Sequence, residues 1–175
     1  MSLTLRKRLD AQAALGDAQS CLNLFEEYKN ENGGQAATDW LEEALDSNCS
    51  SAQYIAGVLD LGSGQFNEGI SYLKLSASNQ NVQAMNVLGQ LYLGNINGLE
   101  DVSFDVEQGI DYLIQAGLNG SVEAQIFLGK CYYQGRWVGE NRLLSVLWLE
   151  KAVSQGSEQA QQVLDEVNLV KNLIN

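Results

Sequence analysis

The chain has 175 residues, of which 45% are hydrophobic, with no proline, no histidine and a net charge of −12. This length fits one ordinary domain, and the apolar content excludes a disordered chain. The acidic charge argues against nucleic acid and anionic membranes as partners, because both attract positively charged surfaces.

Helical periodicity, without any alternating valine-rich segment, predicts an all-α chain. A half-repeat over residues 3–16 comes first, and helical pairs follow over about 17–48, 49–80, 81–120 and 121–156, before a capping helix over 157–175. The predicted helices of these pairs and of the C-terminal cap run over about 17–30, 35–48, 50–61, 66–79, 82–93, 105–119, 121–134, 141–155 and 157–173. Ser50, Ser121 and Ser157 are the predicted N-caps.

An anchor position recurs on the first helix of each pair, and an aromatic position recurs on the second helix. The anchors are Ser20, Ala52, Ala84, Ala124 and Ala160, and the aromatic residues are Trp40, Tyr72, Tyr112 and Trp148. Each aromatic residue lies twelve residues before the next anchor, whereas the spacing from anchor to aromatic residue varies. Stacked helical pairs require such a pattern, because loops on one edge can lengthen without disturbing the packing.

Glycine recurs five residues after the anchor, at Gly57, Gly89 and Gly129. A glycine inside a helix costs roughly 1 kcal/mol relative to alanine. Its recurrence at one register predicts that the two helices of a pair approach closely there, with no side chain between their backbones.

The repeated pattern resembles that of the Sel1-like repeat family, which is related to the tetratricopeptide repeats. That pattern is A-x-x-x-L-G-x-x-Y-x-x-G, a loop, and then small-x-x-W-L-x-x-A with a closing glycine. The fourth pair carries it through Ala124, Leu128, Gly129, Tyr132, Gly135, Val138, Trp148, Leu149, Ala152 and Gly156. The resemblance covers nearly the whole chain, although Asp60 replaces the tyrosine in the second pair and Phe25 replaces the glycine in the first.

The resemblance implies a right-handed α-α superhelix, a solenoid of about four helical hairpins with terminal capping helices, built as a single domain. It also implies a non-enzymatic scaffold that binds a protein or a peptide in a concave groove. In such proteins the first helices line the concave side of the stack.

One face of the first helices is here called the first-helix stripe. It consists of the residue one position before each anchor and the residues two, six and nine positions after it. Amide, aromatic and aliphatic residues mix along it, where a plain solvated face would be charged. The predicted partner-binding residues are Tyr54, Asn86, Gln90, Ile126, Lys130 and Tyr133. The alternative for Tyr54 and Ile126 is that they pack against neighbouring helices.

Trp137 stands where the family usually has a loop glycine, just before Val138. A tryptophan in this loop is either an exposed anchor for a partner or a lid over its own repeat.

The sequence gives little support for a catalytic function. Without histidine, the usual general base and the Ser-His-Asp and Cys-His arrangements are absent. The adjacent pairs Glu26–Glu27 and Glu42–Glu43 point about 100° apart on a helix. We therefore predict no enzyme activity, no catalytic residues and no cofactor. A carboxylate-dependent hydrolase is one alternative, and the acidic charge suggests another, an immunity-type protein that neutralises a basic toxin.

No metal site is predicted. The cysteines Cys21, Cys49 and Cys131 form no CxxC motif, so free thiols are expected and zinc lacks its usual ligands. The loop over residues 95–104 contains Glu100 and Asp101, but its spacing does not match an EF-hand, so we expect a solvated loop.

No apolar run precedes Arg6, Lys7 and Arg8, and no segment is long enough to span a membrane. We therefore expect a cytoplasmic protein, or a periplasmic one if a leader has been removed. Leu169 and Leu173 widen the apolar band of the last helix. This helix is expected either to cap a monomer tightly or to form a two-fold dimer.

Overall fold

The computed structural model describes residues 3–31, 34–96 and 104–174, with side chains described over 6–30, 34–96 and 104–169. Within these ranges the chain forms ten helices and no strand. In chain order they are α1 (Leu3–Ala14), α2 (Ala18–Glu31), α3 (Gln35–Asp46), α4 (Ser50–Gly62), α5 (Phe66–Ser78), α6 (Val82–Tyr92), α7 (Val106–Leu118), α8 (Val122–Gln134), α9 (Arg142–Ser154) and α10 (Glu158–Ile174). The all-α prediction is confirmed, and the helix bounds lie within two residues of those predicted. Glu100, Asp101 and the side chain of Leu173 lie outside what the structure describes.

Two of the three predicted N-caps are confirmed. The hydroxyls of Ser121 and Ser157 each accept a hydrogen bond from the backbone N–H three residues later, at 3.1 and 3.2 Å. The prediction for Ser50 is wrong, because α4 begins at Ser50 itself and Cys49 is the N-cap residue. Cys49 lies three residues before the anchor Ala52, at the register where Ser121 and Ser157 also stand, so the preference of N-caps for serine placed this cap one residue too late.

The chain divides into two compact units, Met1–Met85 and Asn86–Asn175, and the boundary falls inside α6. Each unit contains paired helices of the predicted kind. The assignment of the whole chain to one domain stays a prediction.

Two glycines face each other where α4 crosses α5 in the first unit. A Cβ atom on Gly57 would lie 2.7 Å from Leu73 Cγ and 3.0 Å from the carbonyl oxygen of Gly69. A Cβ atom on Gly69 would lie 2.9 Å from the carbonyl oxygen of Gly57. Neither helix can therefore accept a side chain here, which confirms the close approach predicted from the glycine register.

The second unit has the same pair of glycines where α6 meets α7, and a single glycine, on α8, where α8 meets α9. A Cβ atom on Gly89 in α6 would lie 2.5 Å from Leu113 Cγ and 3.0 Å from the carbonyl oxygen of Gly109 in α7. A Cβ atom on Gly129 in α8 would lie 2.7 Å from Leu149 Cγ in α9. One leucine of each second helix thus packs directly on the glycine of its partner helix.

Three of the recurring aromatic residues make specific contacts within their own unit. The Trp40 Nε1–H donates to Asp10 Oδ1 at 3.1 Å, which ties α3 to α1. The ring of Trp148 covers Gly117, where a Cβ atom would lie 2.9 Å from it. Tyr112 stacks on Tyr92 with ring centroids 6.1 Å apart. The aromatic position therefore serves packing between helices.

A buried glutamine follows the anchor in each unit and joins the ends of second helices. Gln125 Nε2 donates to the Gly117 carbonyl at the end of α7 (2.8 Å), and its Oε1 accepts from Gln155 after α9 (2.9 Å). In the first unit, Gln53 donates to Asn48 after α3 and accepts from Asn79 after α5. Because a buried amide is costly unless it is hydrogen-bonded, these contacts specify which helix ends meet.

Candidate functional site

Tyr54, the predicted partner-binding residue of the first unit, is a core residue by its burial. Its side chain is 4% exposed. Its hydroxyl donates to Gln19 Oε1 at 2.8 Å, and burial raises its pKa above the ordinary tyrosine value. A side chain held in this way favours the packing alternative for Tyr54.

Amide side chains form a short row in the second unit. Asn86 and Gln90 of α6 are both half-buried, one helical turn apart. Gln90 Nε2 donates to Asn86 Oδ1, and Asn95 Nδ2 donates to Gln90 Oε1, each at 3.3 Å. An amide carries two donors and an acceptor oxygen with two lone pairs, so the row keeps hydrogen-bonding capacity beyond these two long contacts.

Of the predicted α8 residues, Ile126 lies in the core. It is 6% exposed and clusters with Ala152 and Ala160, which favours the packing alternative. Tyr133 is half-buried and packs against the core cluster of Leu149, Leu164 and Val167.

Lys130 differs from both of these α8 residues. Its side chain is half-buried, and it makes no ion pair with any residue that the structure describes. A lysine head is strongly hydrated and costly to desolvate, so a half-buried lysine without a counter-charge stands out along the first-helix stripe.

Trp137 packs on its own repeat, which favours the lid alternative over an exposed anchor. It is half-buried, and its ring stacks on Phe127 of α8 with centroids 5.6 Å apart and planes inclined by 23°. The guanidinium carbon of Arg136 lies over the same Trp137 ring, 3.8 Å from its centroid. Phe127 and Arg136 were missed from sequence. Phe127 could have been found, because it lies three residues before Lys130 and therefore on the same side of α8.

A pocket of ≈ 280 Å³ lies between α1 and α3 in the first unit. Trp40, Asp10, Arg6 and Glu43 are among the residues that line it. Arg6 forms an ion pair with Glu43, and Asp10 accepts the Trp40 bond, so these side chains join the two helices. This arrangement stabilises a helix contact and does not resemble a catalytic acid–base pair.

Two other kinds of site are absent from the residues that the structure describes. No group of three or more histidine, cysteine, aspartate or glutamate side chains among them is placed to hold a metal ion. None of their helices combines the length and the apolarity needed to cross a bilayer.

All three cysteines are free, as predicted; Cys21 and Cys131 are buried and Cys49 is half-buried. Burial raises the pKa of the Cys21 thiol to about 12 and that of Cys131 to about 11. A raised pKa keeps a thiol protonated, so at pH 8 the reactive thiolate fraction of both is below about 0.1%.

We expect a disulfide reagent such as DTNB to label the folded protein at pH 8 mainly at Cys49, and to label all three cysteines after denaturation. Cys49→Ser should abolish the fast reaction of the folded protein. Rapid labelling that survives Cys49→Ser would show that a buried thiol is accessible after all.

The described part of α10 has a largely polar outer face. Gln161, Gln162, Asp165, Glu166 and Asn168 are exposed, and Leu169 is 62% exposed among them. On the inner side, Leu164 and Val167 pack on Leu149 of α9. These contacts fit a cap, and a dimer through α10 stays a prediction.

Comparison with known proteins identifies the repeats. The Sel1 repeat family profile matches residues 82–121 and 122–157, each bound within one residue of the third and fourth predicted pairs. No curated protein matches the chain.

The fold is shared by solved structures, of which three are compared with this chain. A Sel1 repeat protein from Oxalobacter formigenes is 29% identical, with a TM-score of 0.62, over 72% of this chain and 95% of that one. Cysteine-rich protein B of Helicobacter pylori is 24% identical, with a TM-score of 0.55, over 71% of this chain and 94% of its own.

The third is a protective antigen of uropathogenic Escherichia coli with a Sel1-like repeat fold, 23% identical with a TM-score of 0.65. The match covers 89% of this chain but only 34% of the antigen. The helical pairs, the profile matches and these structures agree with one another. Residues 82–157 therefore match two Sel1 repeats, and the all-α fold of the chain is shared with Sel1-like repeat proteins of known structure.

Proposed function

We propose that this chain is a non-enzymatic protein-interaction scaffold, and that its second unit binds a protein or peptide through Asn86, Gln90, Lys130 and Tyr133. Sel1 repeats generally mediate protein–protein interactions. The observation that carries the placement is the amide row of α6 together with half-buried Lys130, which has no ion-pair partner among the described residues.

The chemistry of these side chains suits a polypeptide ligand. Asparagine and glutamine amides match the donors and acceptors of a peptide backbone, and Tyr133 offers a stiff amphipathic ring. Because Tyr54 and Ile126 are buried, they are left out of the proposed surface. The immunity and hydrolase alternatives rest on the net charge and on exposed carboxylates alone, and no contact in the structure adds to them.

The test is a triple variant, Asn86→Ala with Gln90→Ala and Lys130→Ala. We expect it to reduce the binding of at least one protein captured from the source organism by about tenfold or more, because truncation of central contacts typically costs more than 1 kcal/mol each. Quantitative mass spectrometry of the captured proteins measures the loss.

The matched control removes similar groups from the second helices of the same unit, with Gln115→Ala and Lys151→Ala. Both side chains are exposed, so this variant should retain the partner. The same set of proteins captured by the triple variant and by the wild type would contradict the proposed surface, provided that thermal denaturation shows both to be folded.

A further inference from the structure

Residues 124–139, which are most of α8 and the first part of its following loop, carry two positive charges and no negative charge, although the whole chain is acidic. Between Ala124 and Gly139 there is no aspartate or glutamate, whereas Lys130 and Arg136 both lie in this segment. The flanking carboxylates are Glu123, which accepts a bond from the Ser121 hydroxyl at 3.2 Å, and Glu140, which is exposed.

Neither cation forms an ion pair with Glu123, Glu140 or another carboxylate that the structure describes. Arg136 and Lys130 make no ion pair with a residue in the part of the chain that the structure describes. Arg136 is exposed, so its N–H groups can reach a ligand from solvent.

The Arg136 guanidinium is held in place by an aromatic stack. Its central carbon lies 3.8 Å from the Trp137 ring centroid, and Trp137 stacks in turn on Phe127. A guanidinium that stacks on an aromatic face keeps its N–H edge free for a two-point bond to a carboxylate. Because the side chain is already ordered by the ring, binding a carboxylate loses less conformational entropy.

The backbone of Trp137 supports the same interpretation. Its φ of 63° lies in the left-handed region, which is costly for a bulky side chain. A glycine would adopt this conformation without strain, but it would supply no ring for Phe127 and Arg136 to contact. Lys130 is placed beside the stack, because residues three apart on a helix are surface neighbours and Phe127 precedes it by three.

The net charge of −12 does not prevent an acidic ligand from binding here. At physiological ionic strength the Debye length is about 8 Å, so a bound side chain senses mainly the charges beside it. The charges beside the site are the cations Lys130 and Arg136 and the flanking carboxylates Glu123 and Glu140, and neither cation is ion-paired with a residue that the structure describes.

We propose that Phe127, Lys130, Arg136 and Trp137, the α8 cationic patch, bind an acidic peptide segment of a partner protein. An aspartate or glutamate side chain would lie between Lys130 and Arg136, and an apolar neighbour in the peptide would cover the exposed part of Trp137. This inference rests on the proposed scaffold function and names the chemistry of its partner, which is opposite to the basic partner that the net charge alone suggests.

The test starts from a phage-displayed library of random peptides, selected on the full chain in about 0.15 M salt. The peptides are fused to the phage at their C-termini, so only side-chain carboxylates can take part. We expect the selected peptides to be enriched in aspartate and glutamate. Synthetic copies with amidated C-termini should bind the wild type in fluorescence polarisation.

The double variant Lys130→Glu, Arg136→Glu should weaken this binding by about 30-fold or more, because two charge-assisted contacts become repulsive. Arg136→Lys should weaken it less, since it keeps the charge and loses only the two-point geometry. The matched control Lys29→Glu, Lys151→Glu changes the net charge equally at two exposed positions, and it should alter binding by less than about threefold.

Two results would overturn the inference. One is a selection without acidic enrichment, including one that yields basic peptides or none. The other is equal binding of the acidic peptides to both double variants. If basic peptides are selected, the scaffold function stands and only the partner chemistry is wrong. The scaffold surface itself fails if, in addition, the alanine triple variant captures the same proteins as the wild type.

Discussion

Leu149→Ala should lower the free energy of unfolding by about 2–5 kcal/mol. Leu149 is 0% exposed, lies directly against Gly129 of α8, and clusters with Leu164 and Val167 of α10. Truncation removes its apolar contacts with both helices and leaves a cavity that rigid neighbours cannot fill. Urea denaturation followed by circular dichroism at 222 nm measures the change.

Leu143→Ala is the control for this prediction, because Leu143 lies on the same helix and is 71% exposed. The same chemical change should alter stability there by no more than about 0.5 kcal/mol. Similar losses at the two positions would show that Leu149 does not have the central packing role that the structure gives it.

Gly89→Val should lower the free energy of unfolding by about 3 kcal/mol, at the upper end of overpacking costs. The new Cβ atom would lie 2.5 Å from Leu113 Cγ and 3.0 Å from the Gly109 carbonyl oxygen. A backbone carbonyl cannot move aside without shifting α7, so the two helices must separate. Valine is a better helix former than glycine by only a few tenths of a kcal/mol, which is too little to offset this cost.

The same substitution at Gly62 is the control, because it changes a helical glycine to valine at a position without a close neighbour. Gly62 ends α4, and a Cβ atom there would meet nothing within 4 Å. Gly62→Val should therefore change stability by less than about 0.5 kcal/mol in the same denaturation experiment. If Gly89→Val is equally neutral, the close contact of α6 with α7 is not a requirement of the fold.

The proposed binding surface could be predicted only in part from the sequence. The helical period places Asn86, Gln90 and Lys130 on the first-helix stripe, and all three are partly exposed in the structure. The same period also places Tyr54 and Ile126 on the first-helix stripe, but both are buried. A helical period states which way a side chain points from its own axis, but it does not state whether another helix covers that direction.

The sequence by itself determined the repeat register, the helix bounds and the close approach at Gly57, Gly89 and Gly129. These features are local and periodic, so each copy of the repeat supports the others. Only the tertiary structure decided that Trp137 lies on Phe127 and under Arg136, and that Gln53 and Gln125 are buried between helix ends. A loop's path and the partner of a buried amide depend on contacts between segments that are distant in sequence, and the pattern within one helix carries no information about them.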